Sequence, residues 1–184
     1  MPFSMKNPFH AVPALVDNNS SEINVILEIT CGDNVKYEYD KNYGMVMVDR
    51  ILKTPMPYPF NYGLIPQTWN EFDNDPLDVI ILGDKPFFPG VLVPCRVVGM
   101  LSVDDNGERD DKVLAVPAGD SRLSHIKDLS DINEKELESI IYFMEHYKDL
   151  EHKKVEVTGT VNAAEASKFI VECQECYNTK FDIK

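Results

Sequence analysis

The sequence predicts an α+β fold: a small closed or partly closed barrel with helices packed against its outside. Three observations carry that reading. Six or seven segments have strand character, several of them alternating apolar and polar residues. Helical periodicity is confined to two short stretches late in the chain. The β-α-β alternation that accompanies a parallel sheet is missing. No internal repeat, low-complexity tract or linker divides residues 1–184, so a single domain is expected.

Residues 1–21 carry Pro2, Pro8, Pro13 and an Asn-Ser cluster without periodicity, and read as an extended N-terminal arm. Ile23 to Ile29 reads as a first strand, closed by the turn Cys31-Gly32-Asp33-Asn34. Val35 to Tyr39 alternates strictly, which sends Lys36 and Glu38 to one face and Tyr37 and Tyr39 towards the other. Asp40 to Gly44 is a hairpin turn, and Met45 to Leu52 its return strand. Pro55, Pro57 and Pro59 exclude helix between Thr54 and Gly63 and impose an irregular extended path, whose aromatic residues are suited to plug a barrel end. Val79 to Leu82 is a short buried strand, and Val91 to Val103 one long strand bent at Pro94 and Gly99. Val113 to Val116 follows as another strand.

The first helix starts at a capping box of Asn133 and Glu136 and buries Leu137, Ile140, Ile141 and Met144. Lys153 to Thr160 is the last strand. A second helix, capped by Asn162 with Glu165, buries Ala166, Phe169, Ile170 and Cys173.

Lys and Arg total 18 against 31 acids, a formal net charge of −13. That balance excludes broad binding to nucleic acid or an anionic membrane, both of which require a basic face. It permits a small anion if the few cations converge on it. No apolar run reaches spanning length, and the N-terminus lacks a charged-then-apolar signal pattern. The four cysteines suit a reducing compartment, and a cytoplasmic location is expected. Cys173 and Cys176 form a C-x-x-C inside a helical pattern with no second pair, which favours buried or idle thiols over zinc.

The chemistry is concentrated in two acidic loops. Asp73-Asn74-Asp75-Pro76-Leu77-Asp78 puts three carboxylates into six residues at the edge of a strand. A single cluster of this kind is ordinarily a solvated loop. Crowded carboxylates nevertheless repel one another unless a positive charge sits among them, and hard divalent cations such as Mg²⁺ or Ca²⁺ take oxygen ligands. Pro76 and the lack of a glycine at the sharp turn do not fit the usual calcium loop. The second loop, Asp104 to Lys112, also abuts a strand. If Asp73, Asp78, Asp105 and Asp110 converge, they can hold two or more Mg²⁺ ions, the usual device for attack at phosphorus. Lys36, Arg50, Lys112 and Lys148 are the cations available opposite them. Each taken singly is an ordinary salt-bridge partner, and their joint occurrence carries the reading.

The string Asp73-Asn74-Asp75-Pro76-Leu77-Asp78-Val79 resembles the signature of the type I soluble inorganic pyrophosphatases, in their short prokaryotic form. The resemblance extends from about Ile23 to Val161, through Lys36-Tyr37-Glu38, Val48-Asp49-Arg50, Tyr58 to Gly63, Asp105 to Lys112, Val116-Pro117 and Phe143 to Glu151. It implies a five-stranded OB-like barrel and Mg²⁺-dependent hydrolysis of pyrophosphate to two phosphates, with several Mg²⁺ ions per site. It implies metal ligation by Asp73, Asp78 and Asp110, with Asp105 and Asp110 holding a further ion. Asp75 would accept the proton of the attacking water. Lys36, Arg50, Tyr62, Lys112, Tyr147 and Lys148 would grip phosphate oxygens, and Glu28, Glu38 and Tyr58 would line the cavity. Short members of this family form hexamers and longer ones dimers, so a homo-oligomer is expected. Asn106 stands where many bacterial members carry Glu, while Asp105 and Asp110 keep their spacing; pairing Asp104 with Asp110 instead would need an extra residue.

Two other readings are weighed beside this one. A calcium-binding or OB-type binding module would tolerate Asn at position 75, whereas hydrolysis requires a base there. A nucleotide or polyphosphate hydrolase would need a base-stacking pocket or a glycine-rich phosphate loop, and the sequence shows neither.

Overall fold

The computed structural model describes residues 7–17 and 21–182. In chain order its elements are α1 (Pro8–Ala11), β1 (Glu22–Ile29), β2 (Val35–Asp40), β3 (Met45–Ile51), β4 (Asn61–Leu64), β5 (Asp78–Ile81), β6 (Leu92–Asp105), β7 (Glu108–Arg109), β8 (Lys112–Pro117), α2 (Glu134–His146), β9 (Val155–Asn162) and α3 (Ala163–Lys180). β1, β4, β5, β8 and β6 pair in that order, and β6 pairs back onto β1, which closes a ring of five strands. All pairings in the ring are antiparallel except β5 with β8. β7 and β9 extend the sheet from the far half of β6, and β2–β3 stands apart as a hairpin. The five-stranded barrel expected from the family resemblance is therefore present.

The apolar runs of the ring strands follow from burial on both faces. Ile80, Leu82, Leu114 and Val116 pack with Ile140, Phe143 and Met144 of α2. Their neighbours Val79, Ile81, Val113 and Ala115 pack with Ala166, Ile170 and Cys173 of α3. β6 bends as expected: its register against β8 slips between Val97 and Gly99. Asn162 caps α3 by accepting from the Glu165 N–H. Asn133 caps α2 by accepting from the Lys135 N–H. Phe143 takes the deepest part of the α2 stripe, with Leu137 and Ile141 only half-buried.

Two stretches differ from expectation. The irregular path assigned to residues 54–63 ends in a true ring strand, β4. Its proline-rich lead-in hid a strand whose backbone lies unusually close to β1: a Cβ at Gly63 would come within 2.2 Å of the Ile26 carbonyl oxygen. The expected extended arm carries one helical turn, α1, capped by Asn7, with Phe9 fully buried against Tyr177 of α3. Its residues 1–6 and 18–20 lie outside the described ones. Cys173 is buried and Cys176 half-buried, both as free thiols. Among the described residues no helix is long and apolar enough to cross a membrane.

Candidate active site

Local hydrogen bonds shape the first acidic loop. The Asp73 carboxylate accepts from the Asp75 N–H at 3.0 Å, Asn74 takes a left-handed φ of 59°, and the Asn70 N–H donates to the Asp75 carbonyl at 2.8 Å. This turn projects Asp73 and Asp75 to the same side and delivers Asp78 to the first position of β5. The second loop is a hairpin between β6 and β7, closed by Asn106 (φ 58°) and Gly107 (φ 94°). Asp104 accepts from the Gly107 N–H at 2.8 Å and so serves the turn. Asp111 turns inward, accepting from the Val103 N–H at 3.1 Å and from Arg109 Nε at 2.7 Å. Arg109 in turn lies 4.6 Å from the centre of the Phe72 ring, which ties the second loop to the first.

Asp73, Asp75, Asp78, Asp105 and Asp110 thereby line one cavity of about 190 Å³. Lys36, Lys112, Lys148, Tyr62 and Tyr147 line it too, with Glu28, Glu38 and Tyr58. Arg50 does not. It stands opposite Lys36 in the β2–β3 register, and its guanidinium binds Asp49 at 2.6 Å and Glu151 at 3.0 Å. Lys41, in the β2–β3 turn, does line the cavity and forms an ion pair with Asp75. The sequence reading passed over it because Asp40 to Gly44 carries the signature of an ordinary turn, and no spacing rule links residue 41 to residue 75. Tyr37 and Tyr39 line the cavity as well, and a bulge after Lys36 breaks the strict alternation of β2.

The charges alternate closely. Parallel pairing sets Lys112 opposite Asp78, and its ammonium lies 2.7 Å from Asp78 and also pairs with Asp110. Lys148 pairs with Asp105, and Lys36 with Glu38. Burial pushes the Glu28 carboxyl up to about 8, and the neighbouring Asp78 adds to the shift. Burial and a hydrogen bond to Asp110 raise Asp73 to about 8 as well. Burial also works against ionising Asp110, but Lys112 outweighs it and holds that carboxyl below its ordinary range. Burial lifts Tyr58, Tyr62 and Tyr147 well above the usual phenol range, so all three are hydrogen-bond donors at neutral pH.

An all-oxygen donor set of this kind suits a hard cation. Among the described residues no three acidic, His or Cys side chains stand close enough to enclose one ion by themselves. Mg²⁺ does not require that, since it keeps several waters and takes one or two carboxylates plus phosphate oxygens. The carboxylates meet in that form: Asp73 against Asp110, and Asp78 and Asp110 on either side of one ammonium.

Comparison with known proteins points the same way. The model of the inorganic pyrophosphatase family matches residues 25–178. The inorganic pyrophosphatase of Rickettsia bellii is 46% identical over 158 residues, covering 84% of this chain and 90% of the relative. That of Saccharolobus solfataricus is 45% identical over 157 residues, covering 84% and 91%. The crystal structure of the Thermus thermophilus inorganic pyrophosphatase superposes with a TM-score of 0.88 at 38% identity, covering 94% of this chain and 99% of that one. With a five-stranded ring, paired acidic loops and this extent of matching sequence, the chain belongs to the inorganic pyrophosphatase family.

Proposed function

We propose that this chain hydrolyses inorganic pyrophosphate to two phosphates in the cavity between the acidic loops, with Mg²⁺ as its metal. The observation that carries the reading is the meeting of Asp73, Asp75 and Asp78 with Asp105 and Asp110 in one cavity with Lys36, Lys112 and Lys148. Such a site can hold a small polyanion despite the chain's net charge of −13. Asp73, Asp78, Asp105 and Asp110 would hold several Mg²⁺ ions, which supply charge neutralisation and lower the pKa of water.

The chain's own groups do the rest. Asp75 takes a proton from the attacking water as its oxygen bonds to one phosphorus and the bridging P–O bond breaks. Lys112 and Lys148, both buried, and Lys36 hold phosphate oxygens and stabilise the charge that passes to the departing phosphate. Tyr62 and Tyr147 donate hydrogen bonds to the same oxygens. Arg50, which does not line the cavity, would reach substrate by exchanging Asp49 for a phosphate oxygen. Glu28 anchors β2 by accepting from the Tyr39 N–H at 2.6 Å, while Glu38 and Tyr58 shape the wall.

The chain is further proposed to act as a single domain, in the cytoplasm, as a homo-oligomer with a hexamer favoured over a dimer. Exposed Met45, Met47, Val48 and Ile51 on β3 support self-association. Sedimentation equilibrium measures the assembly directly.

Phosphate release from pyrophosphate, with Mg²⁺ or with chelator, tests the activity in the natural protein and in Asp75→Asn. Fast Mg²⁺-dependent release and a loss of several orders of magnitude in the variant are expected. Equal rates would remove Asp75 from the mechanism, and no release under any divalent ion would favour a binding module.

A further inference from the structure

The turn between β2 and β3 presents a lysine to which the mechanism above assigns no role. Asp40 closes this turn by accepting from the N–H groups of Asn42 and Tyr43, both at 2.8 Å, and Gly44 completes it with a φ of 68°. The N-terminal segment holds the turn from outside. Asn7 Nδ2 donates to the Lys41 carbonyl at 2.6 Å, and Asn7 Oδ1 accepts from the Tyr39 hydroxyl at 2.6 Å. From this clamped backbone the Lys41 ammonium reaches Asp75 Oδ1, passing 6.0 Å from the centre of the Trp69 ring.

The distribution of partners sets Lys41 apart. Lys112 is engaged by Asp78 and Asp110, Lys148 by Asp105, and Lys36 by Glu38 and Asp49. Among the described residues Lys41 is the cation that pairs with Asp75. An exposed pair of this kind contributes little to stability, and the Lys41 side chain is 34% exposed. Yet Asn7, far away in sequence, holds the Lys41 carbonyl of an already closed turn, which a decorative surface pair would not need.

The geometry points to Lys41 as a positioning residue for Asp75: its ammonium holds Oδ1 and fixes the carboxylate's rotation, leaving Oδ2 for the proton of the attacking water, while Asn7 holds Lys41 in register. This inference rests on Asp75 being the proton acceptor. A carboxylate free to rotate spends part of its time misdirected, so its loss of orientation lowers turnover and leaves substrate affinity alone.

The test is steady-state pyrophosphate hydrolysis with saturating Mg²⁺ by Lys41→Met, Lys41→Arg, Asn7→Ala, Asp75→Asn and the Lys41→Met/Asp75→Asn double variant. Lys41→Met is expected to lower kcat about 10- to 100-fold with KM within about twofold. Lys41→Arg should recover most of that loss, and Asn7→Ala should show a smaller fall in kcat at unchanged KM. In the Asp75→Asn background, Lys41→Met should cost nothing further, because the group it positions is gone. Three results overturn the inference: full kcat in Lys41→Met, a raised KM at full kcat (a phosphate grip instead), or losses that multiply in the double variant. Asp75→Asn at the natural rate overturns the parent assignment and this one together, whereas a slow Asp75→Asn beside a fast Lys41→Met overturns this one alone.

Discussion

The two acidic loops look alike in sequence and are built differently. In the first, three of the four acids (Asp73, Asp75 and Asp78, but not Glu71) reach the cavity, because a side-chain-stabilised turn and Pro76 remove the alternation a strand would impose. The second loop is a hairpin, and neighbouring residues in extended chain point to opposite sides. Asp105 and Asp110 face the cavity, while Asp104 caps the turn and Asp111 is buried beneath it with 1% of its surface exposed. The density of negative charge along a sequence thus marks a site without counting its ligands. Half of the second loop's Asp residues hold the other half in place.

That contrast can be sharpened by pH. In protein stripped of divalent ions, Glu28 and Asp73 of the folded state both titrate near 8, against ordinary values of 4.5 and 3.8. Between those limits the folded state binds protons that the unfolded chain has released, so stability falls as pH rises through this window. Glu28, the more deeply buried of the two, contributes to this fall through the loss of its water shell and the neighbouring Asp78. Urea unfolding between pH 5 and 8 should show the fall, and Mg²⁺ should flatten it; a flat profile without metal would leave the carboxylates uncoupled.

Next in size is the effect on chemistry. Asp78→Asn in the first loop and Asp110→Asn in the second should each lower phosphate release by about 10³-fold, a loss of ~4 kcal/mol in transition-state stabilisation. Asp111→Ala should act on stability instead, by about 3 kcal/mol, since it leaves the buried Val103 N–H unpaired and frees Arg109 from beneath Phe72. A thermal shift without a comparable change in kcat per folded molecule is the expected signature. Asp104→Ala, which removes only a turn hydrogen bond, should cost about 0.5–1 kcal/mol and leave turnover intact. Equal loss of activity in Asp104→Ala and Asp110→Asn would break the comparison.

Much of the fold was readable from local patterns. Alternation located β2, the hairpin turn after it located β3, unbroken apolar runs located β5 and β8, and side-chain caps at Asn133 and Asn162 located α2 and α3. β4 escaped because prolines precede it and because Gly63 answers to the backbone of β1, a contact no local pattern encodes. The acids and three lysines of the cavity were readable as two acidic loops with cations opposite them, and the family resemblance supplied their individual roles. Arg50 was read in the same way, yet it does not line the cavity and pairs with Asp49 and Glu151 instead. Lys41 was missed.

The sequence by itself determined which residues are chemically able to do the work and which segments are strand or helix, since both follow from side-chain type and short-range periodicity. Tertiary structure alone decided which of two adjacent aspartates faces the cavity, that β5 and β8 run parallel so that Lys112 meets Asp78, and that a turn lysine reaches Asp75. Those outcomes depend on ring closure and on pairing between strands far apart in the chain. The forces involved act through space, and a linear string carries no distances.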